Sequence, residues 1–343
     1  MFSCPVPYDD SDRVSLACGG GGLLMNRLLE EVFFPAFGTD SSSLHDSSLR
    51  SVPGGTLAMT TDSFVVHPLV FPGGDIGSLA VHGTTNDLAM SGARPLYLSA
   101  GFILEEGLEV AVLKRIVKSM ARAASELGVS IVTGDTKVVE KGKGDGVYIN
   151  TCGIGSPEYP GLIAPSSIRE GDAVIVSGDL GRHGMTIMSV REGLGFSSSL
   201  ESDSAPLWPS VDALIRSGAD IHCLRDITRG GLTTTLNEIA DSSGLGIVLD
   251  EVSIPVCDEV RSACDVLGLD PLQVACEGRF LAIVPADAAA RTLAALRSVP
   301  VSSGACVVGR VEGRMAAPLV MNGVMGVRRI LGMPSGAQLP RIC

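Results

Sequence analysis

A two-domain α/β (α+β) protein is the fold class this sequence predicts, on three observations. Short β-branched runs alternate with stretches of helical spacing, so strands and helices share one architecture. The alternation breaks once, in a Pro-, Gly- and Ser-rich stretch near 155–167, and then restarts. At 343 residues, 45% of them hydrophobic, the chain can bury two cores. Aromatic residues make up only 4% while glycines number 42, so those cores are aliphatic and the turns tight.

"TLAMTTDSFVV" (56–66) reads as a strand, and "IGSLAVHGTTNDLAMSGARP" (76–95) as a helix closed by Gly92 and Pro95. "YLSAGFIL" (97–104) is the next strand. Over 110–128, Val110, Leu113, Ile116, Val117, Met120 and Leu127 recur at helical spacing and Gly128 stops the helix. "VSIVTGDTKVV" (129–139) returns to strand. Beyond the break, "DAVIVSGDLG" starts the second half. A helix, "DITRGGLTTTLNEIADSSG", the strands "GIVLD" and "RFLAIVPAD", a helix over 287–298 and "ACVVGRV" follow. The expected units are an N-terminal domain over 1–158, a C-terminal α/β domain over 159–330, and a flexible tail over 331–343.

A net charge of −12 repels phosphate backbones and anionic lipid, so neither nucleic acid nor membrane is an expected partner. The start, "MFSCPVPYDD", lacks an export signal and no run is long enough to span a membrane, which points to the cytosol. The nine cysteines form no C-x-x-C pair and no zinc spacing with histidine, so free thiols are expected, most of them buried. Cys343 is the exception. It ends the chain behind "GMPSGAQ" (332–338), a loose tether, and so reads as an exposed thiol on an arm.

Asp46, Asp62, Asp87, Asp135 and Asp226 each sit where an apolar strand ends or a helix begins. One such aspartate is an N-cap or turn residue, and Asp226 in particular could cap a helix from Thr228 onward. Several together repel unless a cation holds them. Hard oxygen ligands suit Mg²⁺, and Mg²⁺ brings nucleotide phosphate with it. Two glycine-rich segments could receive that phosphate on backbone amides: "CGGGGLLMN" and the stretch around Gly230 and Gly231 in "TRGGLTTTLNEIA". Neither is a Walker A loop. Lys137 ends a strand beside Asp135, where its cation could meet a phosphate, or could simply be solvated. Glu277 in "ACEGRF" borders a buried strand, where a raised pKa would suit a base; the other reading is a salt bridge with Arg279.

These residues resemble the PurM-like, AIR synthetase-related ATP-binding superfamily, and within it the HypE family of hydrogenase maturation factors. The resemblance covers nearly the whole chain. It rests on "GGGGLLMNRLLEEVFFPAFG", "TTDSFVVHPLVFPGGDIGSLAVHGTTNDLAMSGARPLYLS", "TGDTKVVEKGKGDGVYINTCGIG", "DITRGGLTTTLNEIA", "ACEGRF" and the closing "PRIC". It implies a two-domain fold whose N-terminal sheets pair into a homodimer, with ATP and Mg²⁺ held by the five aspartates. It implies that a HypF-like carbamoyltransferase loads Cys343 with a carbamoyl group while the tail (332–343) projects outward, and that the tail then folds inward to the phosphates, with Ile342 buried and Arg341 against phosphate or a site carboxylate. ATP-dependent dehydration then leaves a thiocyanate, with Glu277 as base and Lys137 and Asp87 as catalytic partners, and a HypC–HypD complex accepts the cyanide for the iron of [NiFe]-hydrogenase. The family's glycine run follows a histidine, whereas here it follows Cys18. Selenophosphate synthetases and small-molecule kinases share the superfamily; the first pair a reactive cysteine with a nearby lysine that "CGGGGLLMN" lacks, and neither gives "PRIC" a task. A nucleotide-binding thiol carrier without turnover is the reading from another class.

Overall fold

The computed structural model describes residues 14–37, 45–193, 200–336, 339 and 341–343. Cys4, Gln338 and Pro340 lie outside them. After α1 (Leu23–Leu28), a π turn (Leu29–Phe33) and α2 (Phe34–Phe37), the first half is built from β1 (Ser48–Val52), β2 (Gly55–Phe64), the short β3 (Val70–Phe71) and β4 (Gly74–Asp75), α3 (Ile76–Met90), β5 (Ala93–Glu105), α4 (Val110–Glu126), β6 (Ser130–Val139) and β7 (Val147–Pro157). Its sheet runs β1-β2-β7-β5-β6, antiparallel except for the parallel β5–β6 pair.

Period-two alternation decides which face of this sheet is covered. Ala58, Thr60 and Phe64 of β2, and Val147, Ile149 and Thr151 of β7, point inward. They meet α3, whose residues are buried almost all round because α4 covers its other side. Gly83 permits the close approach, since a Cβ there would fall 2.9 Å from Phe64. Asp75 caps α3 by accepting from the Gly77 and Ser78 amides, with Ser78 closing the capping box. The opposite face is bare: Met59, Tyr97 and Ile103 are exposed there.

The second half comprises β8 (Ala173–Val176), α5 (Arg182–Arg191), α6 (Trp208–Arg216), β9 (Cys223–Asp226), α7 (Gly231–Ser243), β10 (Gly246–Asp250), α8 (Asp258–Leu267), β11 (Phe280–Val284), α9 (Ala289–Arg297), β12 (Cys306–Glu312), β13 (Leu319–Asn322) and β14 (Arg328–Ile330). Its sheet order is β14-β13-β10-β12-β8-β11-β9. β8 and β11 are buried throughout, packed by α7 on one side and α6 and α9 on the other. No described helix is long and apolar enough to cross a membrane.

Three local expectations are corrected. The helix expected over 76–95 ends at Met90 with Gly92, one of its two expected stops, in the left-handed region, whereas Pro95 lies inside β5. Pro95 is tolerated because β5 meets β6 only from Tyr97 onward, so its missing N–H leaves no β6 bond unmade. Asp226 is not a helix cap: it ends β9, and Gly230 stands at the N-cap of α7 with φ 78°. Nor do the first glycines leave their helix amides open. Leu23 and Leu24 N–H donate to the carbonyls of Pro334 and Ser335, at 3.1 and 3.3 Å, so the tail already takes those donors.

Candidate active site

A cavity of about 300 Å³ lies where the two halves meet, lined by Asp46, Asp62, Asp87, Asp226, Glu277 and Cys343 among others. Each arrives from a different element. Asp46 precedes β1, Asp62 lies on the inward face of β2, and Asp87 comes from the last turn of α3. Asp226 ends β9, and Glu277 lies in the loop entering β11. Thr60 Oγ1 donates to Asp87 Oδ2 at 2.7 Å and lies 3.0 Å from the Asp46 carbonyl. Thr228 Oγ1 donates to Asp226 Oδ1 at 3.2 Å. Asn86 fixes the Glu277 loop by donating to the carbonyl of Glu277, while Asp203 accepts the Glu277 amide at 3.0 Å.

These carboxyls are held in an unusual state. Burial, then the charges of Asp226, Asp62 and Asp46, push Asp87 well above the usual carboxylate range. Burial and Asp46 raise Asp226 to about 8. Glu277 is driven well up by burial, followed by Asp62 and Asp226. Its Oε1 is buried without a partner, because Arg279 is paired with Asp179 at 2.8 Å instead. That removes the salt-bridge reading of Glu277. Buried like charges that the nearby Arg225 and Arg229 only partly offset are what a bound cation relieves.

Asp135 and Lys137 are not brought to this cavity. They stand on β6, about two-thirds exposed, and pair with each other. Cys18 is half-buried beside Ser15 and does not line the cavity either. Gly230 and Gly231 form the turn into α7 at φ 78° and 63°; a Cβ on Gly231 would strike the Leu272 carbonyl at 2.6 Å.

The cavity also holds residues that sequence reasoning passed over. Arg225 pairs through Nε with Asp46 at 2.6 Å and through Nη2 with Glu238 at 3.0 Å, which neutralises Asp46. Arg229 is kept charged chiefly by the C-terminal residue, with Asp62 and Glu277 adding to the effect. His45 lines the cavity with both ring nitrogens unpartnered, and burial lowers its pKa. Arg229, between Thr228 and Gly230 in the turn, was the one with a signal in the sequence; His45 beside Asp46 had only adjacency.

Cys343 stands in the inward of the two positions expected for the tail, not the exposed one. It is half-buried against the first core, and burial pushes its thiol up to about 12 against the pull of Arg229. Its main-chain carboxylate oxygen accepts from Val65 N–H at 3.0 Å. Ile342 is 3% exposed. Arg341 pairs with Asp145 rather than with a carboxylate of the cavity. All eight described cysteines are free, and Cys223, Cys264 and Cys276 are the buried ones.

A fit for Mg²⁺ can be judged from these donors. Among the described residues no three His, Cys, Asp or Glu side chains converge to hold a metal alone. Mg²⁺ rarely asks for such a cage, taking one or two carboxylates plus substrate phosphates and water. The unpaired, pKa-raised Asp62, Asp87 and Asp226 fit that mode.

Two family descriptions match the chain: AIR synthase related protein, N-terminal domain, over residues 45–156, and its C-terminal domain over 169–318. Carbamoyl dehydratase HypE of Azotobacter vinelandii is 52% identical over 332 residues, covering 96% of this chain and 97% of that protein. The protein of the same name from Escherichia coli is 44% identical, covering 97% and 100%. The crystal structure of a HypE–HypF complex contains a chain superposing with TM-score 0.84 at 45% identity, covering 90% of this chain and 99% of that one. HypE in complex with ATP gives TM-score 0.82 at 47% identity, covering 96% and 100%. Thiamine monophosphate kinase of Aquifex aeolicus, 18% identical with TM-score 0.66, shares the fold alone.

Proposed function

The chain belongs to the HypE carbamoyl dehydratases of the AIR synthase related family, and from that premise we propose that it dehydrates an S-carbamoyl group carried on its own Cys343. The cyanide so formed serves hydrogenase maturation. The observation that carries the residue assignment is the placement of the terminal thiol in the same cavity as four aspartates and an unpartnered Glu277.

Water is a poor leaving group from an amide, so its oxygen is first phosphorylated. The carbamoyl oxygen attacks the γ-phosphorus of ATP, ADP leaves, and one N–H proton is lost, giving an S-bound imidate phosphate. The C–O bond then breaks, phosphate departs, the second N–H proton is lost, and S–C≡N remains. Covalent attachment makes the phosphoryl transfer intramolecular. Glu277, desolvated and with its Oε1 unpartnered, is the proton acceptor. Arg229 faces the sulfur and the growing negative charge. Asp62, Asp87 and Asp226, with Asp46 set by Arg225, would hold Mg²⁺, which would supply charge neutralisation of the phosphates. Gly230 and Gly231 let the backbone approach them.

Residues 1–158 and 159–330 serve as the two working halves, and 331–343 as the carrier arm, about 40 Å long if fully extended. A HypF-like carbamoyltransferase loads the arm and a HypC–HypD complex accepts the cyanide. The bare face of the first sheet, with Met59 of β2 and Tyr97 and Ile103 of β5 exposed, supports a homodimer formed there. That pairing would bring Asp135 and Lys137 toward the partner's site. Eight unpaired thiols suit a reducing cytosol.

Intact mass of the C-terminal peptide tests the reading. Incubation with the carbamoyltransferase, carbamoyl phosphate and Mg²⁺–ATP should yield a carbamoyl adduct on Cys343 and then a nitrile. A carbamoyl adduct that persists while ATP stays intact would refute it.

A further inference from the structure

The terminal residues are gripped by one helix. From the first turn of α5, His183 Nε2 meets the carbonyl oxygen of Ile342 at 2.9 Å. From its last turn, Arg191 Nη2 donates to the carbonyl of Arg341 at 2.7 Å. Arg191 also donates to the His67 carbonyl, at 2.6 Å from Nη2 and 3.1 Å from Nε, so one guanidinium ties the tail to the loop after β2.

The His183 tautomer follows from its partners. A carbonyl only accepts, so Nε2 carries the proton. Nδ1 then accepts from Ser202 Oγ at 2.8 Å, and Ser202 Oγ in turn accepts the Ser204 amide at 3.1 Å. Phe71 meets the imidazole edge-on, with centroids 5.5 Å apart, and the ring is fully buried. The grip therefore has a fixed donor on a locked side chain. Arg341, between the two contacted carbonyls and Leu339, adopts φ 56°, a left-handed conformation that a non-glycine residue keeps only where its surroundings impose it.

We propose that His183 and Arg191 form a main-chain clasp, positioning residues that hold the tail so that the Cys343 thiol stays in the acidic cavity. Both contacts are to carbonyl oxygens, so the clasp holds the main chain whatever side chains stand there. Side-chain recognition is left to the buried Ile342. The clasp also bridges the molecule. His183 and Arg191 belong to the second half, whereas Val65 and Asp145, which bind Cys343 and Arg341, belong to the first. The docked tail therefore depends on how the two halves are set against each other. Its purpose rests on the dehydratase reading above; its existence does not.

Alkylation of Cys343 by iodoacetamide, followed by mass on the C-terminal peptide without nucleotide, reads the docked fraction directly. Arg191→Met removes a charge-assisted hydrogen bond and is expected to speed alkylation on the order of tenfold. Arg191→Lys, which retains a single donor, falls between that variant and the parent. His183→Gln keeps a donor where Nε2 stands and stays near the parent rate, whereas His183→Leu speeds it. Should His183→Leu not fold, Arg191→Met at the half-buried helix end still decides. Alkylation of Arg191→Met within about twofold of the parent overturns the clasp. A second readout separates positioning from general loosening: S-carbamoylated Arg191→Met should turn over more slowly with an unchanged KM for ATP, and a raised KM with unchanged kcat would count against the clasp. Alkylation needs neither ATP nor a carbamoyl group, so a parent protein that fails to dehydrate Cys343 sinks the functional reading and leaves this test standing.

Discussion

Asp62 and Asp135 stand on opposite faces of one sheet. Asp62 lies opposite Thr151, and Thr151 opposite Ala100, in the row that faces α3. Asp135 lies opposite Gly101, Gly101 opposite Asn150 and Asn150 opposite Ser63, in the row that faces away. Asp135 and Lys137 therefore cannot reach their own cavity without turning β6 over.

From this follows a complementation test. If Lys137 acts in a second copy's site, Lys137→Ala and Asp87→Asn are each inactive alone. Co-expressed, they form mixed dimers with one intact site, and about a quarter of the parent activity returns by statistics. No recovery would place Lys137 outside the reaction between copies. Ile103→Glu, which charges the bare face, is expected to give a monomer by sedimentation.

Asp87 is crowded by like charges and its acid form is favoured by burial. Asp87→Asn should reduce ATP turnover on the order of 10²-fold, since a phosphate-site charge is lost. The same change relieves repulsion, so the nucleotide-free protein should melt no lower than the parent. A lower melting temperature would show that the charge is structural.

The raised carboxyls set a pH dependence. A carboxyl whose folded pKa exceeds its unfolded value binds a proton on folding, so its contribution is full below the unfolded pKa near 4 and lost as pH climbs through the folded one. For Asp226 that window runs from about 4 to about 8. Nucleotide-free protein should lose thermal stability between pH 6 and 8, and Mg²⁺–ATP should raise the melting temperature more at pH 8 than at pH 6. A flat profile would mean the cluster is already neutralised.

Glu277→Gln is close to isosteric and keeps the loop bonds to Asn86 and Asp203, which involve its main chain. ATP binding should persist while the carbamoyl adduct accumulates on Cys343. Dehydration at the parent rate would move the base to an aspartate.

Ile342→Ala removes most of a buried side chain from the tail. Within a core such a change costs about 2–5 kcal/mol, but here the tail can simply detach. The expected result is Cys343 alkylation faster by about tenfold or more, with a melting temperature close to the parent's. An unchanged alkylation rate would show that the side chain does not anchor the tail.

The order of helices and strands was determined by the sequence alone, because local chemistry sets it. Gly92 and Gly128 end α3 and α4 where a positive φ is needed, and β-branched runs become the buried β8 and β11. The acidic character of the site was also legible, since aspartates at strand ends carry their own signal. Tertiary structure decided which of those aspartates meet. "TTDS" and "TGDT" look alike along the chain, yet pairing register and a one-sided helical cover send Asp62 inward and Asp135 outward. It also decided the fate of the last residue. Nothing within "QLPRIC" forecasts His183 and Arg191, because a clasp on backbone carbonyls depends on what folds against the tail, and those partners lie some 150 residues upstream.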